Sequence, residues 1–235
     1  MNFDRFSKSY REIHTENIKI SGAPSEYYAE FKAHNINEFV LNHFVNRNTV
    51  KLLDFGCGDG LVSSFLSQLN RNYKISCIDP SAESINEAIR NYQNKKNLEF
   101  RVQGKDKIPY NDSEFDVVFA INVFHHIEEN ELLMWTKEII RVLKTDGYII
   151  VIEHNPSNPL TRYFVKTCVF DDDAILISAN QLINKLNNLG IKKYNLVYQL
   201  FLPRWKILRN FLFLEKLFKN VPIGGQYMYI GENSK

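Results

Sequence analysis

From residue 50 onward, short segments rich in apolar residues, typical of strands, alternate with segments in which apolar residues have helical spacing. Apolar-rich runs of five to seven residues predict strands at 50–55, 73–78, 98–102, 115–121 and 148–152, and the nearly continuous run at 115–121 is typical of a strand covered on both faces. Between and after them, apolar residues recur three or four positions apart, which predicts helices at 61–69, 82–94, 131–143 and 178–189. This alternation of strand and helix predicts a doubly wound α/β sheet.

The segments that flank this region also carry helical patterns. Phe3, Phe6 and Tyr10 predict a short helix, and a second helix is expected from Glu26 to about Phe44 with Ser25 as its cap. Two further strands, at 193–202 and 226–230, would pair as an antiparallel hairpin, but an unusually long connection separates them. Apolar and basic residues in that connection, 203–225, predict a helical insertion.

A glycine-rich turn follows the first predicted strand, in KLLDFGCGDG at 51–60. Glycines allow a tight reversal and let a ligand approach bare backbone. Asp79 ends the next strand, where a carboxylate can bind a ribose diol. The alternate glycines do not follow the G-x-G-x-x-G spacing, which argues against a dehydrogenase that binds a pyrophosphate. Asp54 would repel a pyrophosphate as well, but it suits a ligand with an ammonium group.

The segments LLDFGCGDG, at 52–60, and CIDPS, at 77–81, resemble the first and second motifs of the class I S-adenosylmethionine-dependent methyltransferases. The resemblance implies S-adenosylmethionine as the cofactor. It also implies one domain over 1–235, with a seven-stranded, mainly parallel sheet whose last strand is antiparallel, a helical cap over 1–48 and a helical insertion over 203–225. The cofactor-binding residues carried over from it are Asp54, Gly56, Cys57, Gly58, Asp79, Pro80, Gly104, Lys105 and Asn122.

The loop after the third strand departs from the pattern of the resembled family. Residues 103–110 resemble its adenine-binding loop, which ends in proline and an aromatic residue, but Gly104 stands where the family commonly has an acid. Either the backbone of Gly104 and Lys105 recognises adenine, or Asp106 reaches back to it. Both alternatives stay open.

The helical segment before the glycine turn supplies further candidate ligands. In the resembled family such segments fold over the cofactor, so Tyr10, Ser21 and Lys32 are candidates, with Lys32 directed to the methionine carboxylate. The competing interpretation, at least as strong, makes them core aromatics and a surface lysine.

Polar residues follow the fourth predicted strand, at the edge where open parallel sheets place their ligands. Asn122 comes first, and the tandem pair His125 and His126 follows it. The resemblance favours His126 as part of the wall of the site rather than as a base.

The fifth predicted strand ends in Glu153 and His154, which we assign as the catalytic residues. Together with Asn155 and Arg162 they are candidates for acceptor recognition or proton removal. The alternative is a rigid loop with polar ends, because two prolines between 155 and 162 forbid a plain helix through them.

Composition excludes several classes of protein. The chain has 235 residues, 44% of them hydrophobic and 24% charged, as is usual for a soluble globular domain. A net charge of +2 gives no general attraction for nucleic acid. Three widely spaced cysteines indicate reduced thiols, and neither a signal peptide nor a membrane span is expected, so we predict a cytoplasmic protein.

Three consecutive aspartates at 171–173 raise the question of a metal. Three successive residues do not converge on one ion without contortion of the backbone, and no histidine or glutamate lies at a useful spacing from them. We therefore interpret 171–173 as a solvated turn and predict no metal.

Methyl transfer requires mainly that the acceptor lie in line with the methyl group, with a base where the acceptor is oxygen or carbon. We therefore predict a methyltransferase that acts on a small-molecule or a lipid- or sugar-linked acceptor, and not on nucleic acid. The alternatives are a non-catalytic scaffold or sensor that binds S-adenosylmethionine, and a nicotinamide-dependent oxidoreductase that the glycine spacing disfavours. The apolar, basic stretch 204–219 could contact a membrane surface, although covering the sheet or the active site is the preferred interpretation.

Overall fold

A computed structural model of the chain describes residues 19–171 and 173–234. Its seven strands form one sheet in the order β3-β2-β1-β4-β5-β7-β6. Strands β1 to β5 are parallel to one another, and β7 runs antiparallel to both β5 and β6, which confirms the predicted fold class. The strands are β1 (Val50–Phe55), β2 (Tyr73–Asp79), β3 (Leu98–Val102), β4 (Phe115–Ile121), β5 (Leu143–His154), β6 (Ile191–Gln199) and β7 (Gln226–Asn233).

Helices cover both faces of the sheet. In the described part of the chain they are α1 (Ser25–His43), α2 (Leu61–Leu69), α3 (Ala82–Tyr92), α4 (Glu129–Val142), α5 (Pro159–Thr167), α6 (Ala179–Asn187) and α7 (Leu214–Phe218). Helices α4 and α6 pack their apolar sides on one face of the sheet, and α1 and α2 pack on the other. None of these helices is long and apolar enough to cross a bilayer.

Strand β4 shows why the continuous apolar pattern predicted a central strand. Val117 and Phe119 belong to the core beneath α1 and α2, whereas Val118 and Ala120 belong to the core beneath α4 and α6. Because successive side chains of a strand point to opposite faces, a strand covered on both faces must be apolar at nearly every position. Its carboxyl end therefore lies between the two layers, at the edge where β1 also ends.

Several predicted boundaries differ from the structure. Ser25 is the first residue of α1 rather than its cap, which is Pro24. Strand β5 begins at Leu143, before the predicted start at 148, and includes Asp146, which has a φ of 59° where the register with β4 shifts. Helix α5 begins at Pro159, within the predicted proline loop, because proline is well suited to the first turn of a helix.

The insertion is less regular than its amphipathic pattern predicted. It contains a 3₁₀ segment, Lys206–Phe211, followed by the short helix α7. The helix predicted over residues 3–10 lies outside the described residues. The assignment of 1–235 to a single domain stays a prediction.

Candidate active site

The glycine turn between β1 and α2 opens one wall of a cavity. The backbone N–H groups of Gly56 and Cys57 donate to the carbonyl of Ile78, at 2.8 and 2.9 Å, so the turn is fixed to the end of β2. Gly58 has a φ of 53°, and a Cβ atom added there would have no described atom within 4 Å. The turn thus presents bare backbone to open space, as the sequence predicted.

Asp79 connects this turn to the next helix. Its Oδ2 accepts a hydrogen bond from the N–H of Gly58 at 2.8 Å, and its Oδ1 accepts one from the N–H of Ser81 at 2.9 Å. Ser81 in turn caps α3 by accepting from the N–H of Ser84 at 3.1 Å. An ionised carboxylate has about four acceptor positions, so these two hydrogen bonds are compatible with the expected binding of a ribose by Asp79.

The cavity has a volume of about 550 Å³, which is within the usual range for small-molecule sites of about 300–1,000 Å³. It lies at the carboxyl ends of β1, β2 and β4, where open α/β sheets bind their ligands. All the predicted cofactor residues lie in its wall: Asp54, Gly56, Cys57, Gly58, Asp79, Pro80, Gly104, Lys105 and Asn122. Their contact with the cofactor stays a prediction.

The wall of the cavity also places an acid and a base in buried positions. Asp54 accepts a hydrogen bond from the hydroxyl of Ser63 at 2.6 Å, and burial raises the pKa of its carboxyl to about 7. Burial lowers the pKa of Lys32 to about 8, although the charge of Glu153 acts in the opposite direction. A ligand that carries both an ammonium and a carboxylate group, as the methionine part of the cofactor does, is complementary to this pair.

The adenine-binding loop contributes a residue that sequence reasoning missed. Gln103 lines the cavity beside Gly104 and Lys105, whereas Asp106 is exposed and is not among the described lining residues. The N–H of Gln103 donates to the carbonyl of Asp79 at 2.9 Å, which fixes the loop to the end of β2. The sequence signal that could have identified Gln103 was its position, directly after β3 at the ligand-binding edge of the sheet.

Helix α1 forms the opposite wall. Ser25, Tyr28 and Lys32 line the cavity from this helix, and His126 lines it from the segment after β4. Ser25 and Tyr28 were missed as site residues because their spacing also fits a helix packed on the core. Ser21 is not among the described lining residues, and Tyr10 lies outside the described part of the chain.

Glu153 is fully buried and does not line the cavity in the described structure. Its Oε1 accepts from the N–H groups of Val123 and Phe124, at 2.9 and 2.7 Å, and its Oε2 lies 2.5 Å from Nδ1 of His125. Although burial acts in the opposite direction, the charge of His125 lowers the pKa of Glu153. The carboxylate therefore fixes the turn after β4, and its assignment as catalytic stays a prediction that this geometry does not favour.

His154 is poorly suited to proton removal. Its ring centroid lies 5.3 Å from that of His125, and it is not among the described residues that line the cavity. Burial, followed by the charge of His125, lowers the pKa of His154 to about 3, so its imidazole is a weak base. Its catalytic role also stays a prediction.

Asn155 and Arg162 are the two remaining candidates for acceptor recognition. Asn155 is buried, and its side-chain amide donates to the carbonyls of Pro222 and Gly224, at 3.1 and 2.8 Å, at the end of the insertion. Arg162 is exposed on α5. The structure therefore does not bring the predicted acceptor residues together at the cavity.

The interpretation of Asp171 as a solvated residue without a histidine partner is wrong. Its Oδ1 lies 3.5 Å from Nε2 of His125 and 3.5 Å from Nε2 of His126. The chain folds the 3₁₀ segment Val169–Asp171 against the end of β4, a contact between residues more than forty positions apart in the sequence. Sequence spacing gave no sign of it.

The sheet order, the glycine turn after β1 and the acid at the end of β2 together define the class I methyltransferase fold. Residues 53–151 match the family model described as a methyltransferase domain. This match, over the central part of the chain, agrees with the methyltransferase class that the first two motifs predicted.

Comparison with individual proteins agrees with this class. An S-adenosylmethionine-dependent methyltransferase from Thermotoga maritima has a similar structure, with a TM-score of 0.68, 18% identity and 98% of each chain covered. The ubiquinone biosynthesis O-methyltransferase of Pelagibacter ubique is 24% identical over 223 residues, which cover 87% of this chain and 90% of the relative. The tRNA U34 carboxymethyltransferase of Nautilia profundicola is 26% identical over 203 residues, 83% of this chain but only 57% of the relative. The names of these relatives span different acceptors.

Proposed function

We propose that this protein transfers the methyl group of S-adenosylmethionine to an amphiphilic acceptor, either a small molecule or a lipid- or sugar-linked precursor. The observation that supports this acceptor class is an exposed apolar surface on the insertion. Its most exposed members are Ile207 and Leu217, whose exposed fractions are 78% and 71%. The other exposed large apolar residues are Trp205, Phe211, Phe213, Phe218, Val221 and Ile223.

Several exposed large apolar side chains within one segment require an explanation, because apolar patches on soluble domains commonly mark interaction sites. Helix α5 contributes Leu160 and Tyr163 as further exposed apolar residues. It lies beside the insertion, since the side-chain amide of Asn158 donates to the carbonyl of Ile223 at 2.7 Å. The insertion and α5 together offer an apolar surface that an acyl or prenyl chain could contact.

The insertion has internal contacts that fix its shape. The guanidinium of Arg204 pairs with Glu215 through two hydrogen bonds, at 2.6 and 2.9 Å. The same carboxylate accepts from the N–H groups of Phe201 and Leu202, at 3.0 and 3.1 Å. A bidentate pair of this type is geometrically specific, so the apolar side chains are displayed by a folded segment.

The insertion also reaches the cavity through α1. The N–H of Arg204 donates to the carbonyl of Ser21 at 2.6 Å, and its guanidinium lies over the rings of Tyr27 and Phe31, 5.7 and 5.8 Å from their centroids. Tyr28, which is adjacent to Tyr27 on α1, lines the cavity. An acceptor held on the insertion is therefore one helix away from the cofactor.

Charge on the insertion favours an anionic or zwitterionic head group. Glu215 is the single acid between 203 and 225 and is used internally, whereas Lys206, Lys216 and Lys219 are exposed. Basic residues beside an exposed apolar surface are typical of segments that lie at a membrane interface. A peripheral membrane contact through 204–219 is accordingly part of the proposal.

The bound cofactor supplies an electrophilic methyl group. In this chain Asp54 and Lys32 would orient its amino-acid end, Asp79 its ribose, and the loop at Gln103 its adenine. Asn122 and His126, at the end of β4, would form the wall nearest to the acceptor. Catalysis mainly by alignment fits the finding that neither Glu153 nor His154 is among the described residues that line the cavity.

The experiment is transfer of labelled methyl from S-adenosylmethionine to separate pools of lipid, polar metabolite and tRNA. We expect label in the lipid pool. The variant Ile207→Ser/Leu217→Ser should lower that transfer at least fivefold without changing the affinity for S-adenosylhomocysteine. The matched control is Val45→Ser, since Val45 is 75% exposed but lies between α1 and β1.

Two outcomes would contradict the proposal. Label in the tRNA pool would assign the acceptor to nucleic acid. Saturable binding of S-adenosylhomocysteine without label in any pool would support the alternative of a non-catalytic module that binds the cofactor.

A further inference from the structure

We infer that His125, His126 and Asp171 form a binding site for a divalent transition metal at the wall of the cofactor cavity. One ring nitrogen of each histidine and a carboxylate oxygen of Asp171 lie within 4.8 Å of one another. Two imidazoles and one carboxylate are a ligand set that zinc and iron(II) use in sites that keep further coordination positions open.

The distances within the cluster fit a shared ion better than a hydrogen bond. Oδ1 of Asp171 lies 3.5 Å from Nε2 of each histidine. Two ligand atoms on a tetrahedral zinc, each about 2.0–2.1 Å from the metal, are roughly 3.3 Å apart. Nε2 of His125 is buried and makes no hydrogen bond within the described residues, although Oδ1 of Asp171 lies 3.5 Å away.

The surroundings of His125 are those of a metal ligand. Its Nδ1 lies 2.5 Å from Oε2 of Glu153, the carboxylate that also holds the N–H groups of Val123 and Phe124. Metal-bound histidines commonly donate the other ring N–H to a carboxylate, which fixes the tautomer and the orientation of the ring. Glu153 is on this account a positioning residue rather than a catalytic base.

His126 and Asp171 are oriented by further contacts. Nδ1 of His126 lies 3.5 Å from Oδ1 of Asp173, which leaves its Nε2 toward Asp171. The backbone N–H of Ile175 donates to the carbonyl of His125 at 2.8 Å, and the backbone N–H of Ala174 donates to the carbonyl of Asp171 at 2.9 Å. The segment that carries Asp171 is thereby fixed to the segment that carries both histidines.

His126 is the member of the cluster that also lines the cavity. In the proposed methyl transfer, on which this step alone rests, the open coordination position would accept an oxygen atom of the acceptor. The competing interpretation is that the cluster holds a proton and no metal ion. His125 would then be an imidazolium between Glu153 and Asp171. The two alternatives differ in whether the protein binds zinc with defined stoichiometry.

The test is calorimetric titration of the chelator-treated full chain with Zn²⁺, without cofactor or acceptor. We expect one equivalent to bind, and Asp171→Asn and His126→Gln each to weaken that binding at least tenfold. The matched control is His34→Gln, because His34 is an exposed histidine beside Glu30 on α1. Zn²⁺ should also raise the unfolding temperature of the native protein and of His34→Gln, but not that of Asp171→Asn.

Absence of stoichiometric binding by the folded protein would overturn the inference, as would equal losses in His34→Gln. Since neither measurement contains the cofactor, failure of the metal site would leave the proposed methyl transfer unaffected. Conversely, stoichiometric zinc binding without methyl transfer would support the metal site and contradict the proposed function.

Discussion

The carboxylate of Asp79 accepts a hydrogen bond from the backbone N–H of Gly58 at 2.8 Å. The residue that is expected to bind the ribose therefore also holds the turn that is expected to approach the methionine part. Its second oxygen fixes the start of α3 through Ser81. One side chain thus positions two parts of the cofactor site, and its removal has a cost beyond the lost ligand contact.

Replacing Asp79 should weaken binding of S-adenosylhomocysteine strongly. Loss of hydrogen bonds to a charged group costs about 1.5–3 kcal/mol, so Asp79→Ala should raise the Kd roughly tenfold to a hundredfold in calorimetry. Asp79→Asn keeps an acceptor oxygen and should lose less. The control is Asp112→Ala, which removes an exposed acid paired with Arg141. An unchanged Kd in Asp79→Ala would remove the main support for the site.

Gly58 and Gly56 should respond differently to substitution. A Cβ atom at Gly58 enters open space at the cavity, so Gly58→Ala should lower affinity at least tenfold. The left-handed backbone of Gly58 costs about 1–2 kcal/mol in a residue with a side chain, so Gly58→Ala should also lower the unfolding temperature by a few degrees.

A Cβ at Gly56 would lie 2.5 Å from a Cγ of Val123, so Gly56→Val should destabilise the fold far more than Gly58→Ala. Thermal unfolding beside calorimetry separates the two effects, and normal affinity in Gly58→Ala would place the ligand elsewhere.

The two alternatives for adenine recognition can be separated by one pair of variants. Gln103 lines the cavity and Asp106 does not, within the described residues. Gln103→Ala should therefore weaken S-adenosylhomocysteine binding about fivefold to tenfold, a loss typical of a single hydrogen bond, and Asp106→Ala should leave it unchanged. The reverse result would show that Asp106 reaches back to the adenine.

The affinity for S-adenosylhomocysteine should pass through a maximum between about pH 7 and pH 8. Asp54 has a raised pKa of about 7, so it is neutral below that pH and cannot pair with an ammonium group. Lys32 has a lowered pKa of about 8, so it loses its charge above that pH and cannot pair with a carboxylate. If only the charged forms bind, affinity at pH 6 and at pH 9 should be roughly fivefold to tenfold weaker than at pH 7.5.

Variants assign each side of this profile. Asp54→Asn should remove the loss on the acidic side, and Lys32→Met the loss on the alkaline side, each with a lower maximum. The competing cause is titration of the ligand itself. In that case both variants would still lose affinity on the acidic side and on the alkaline side.

The sequence alone determined the sheet and the half of the cavity that is expected to bind the cofactor. The strands β1, β2 and β4, the glycine turn and Asp79 are specified by neighbours in the chain, because burial on both faces and a tight turn impose local requirements on residue type. Even here the bounds of β5 were wrong, since the bulge at Asp146 depends on its pairing with β4.

The tertiary structure decided the roles of the remaining polar residues. Glu153 was expected to act on the acceptor, but the parallel pairing of β4 and β5 places its carboxylate under the turn at Val123. Asp171 was expected to face solvent, but the fold brings it to His125 and His126. Side chains with the same chemistry can bind, position or catalyse, and which of these each one does depends on contacts between residues far apart in the chain, which no local pattern encodes.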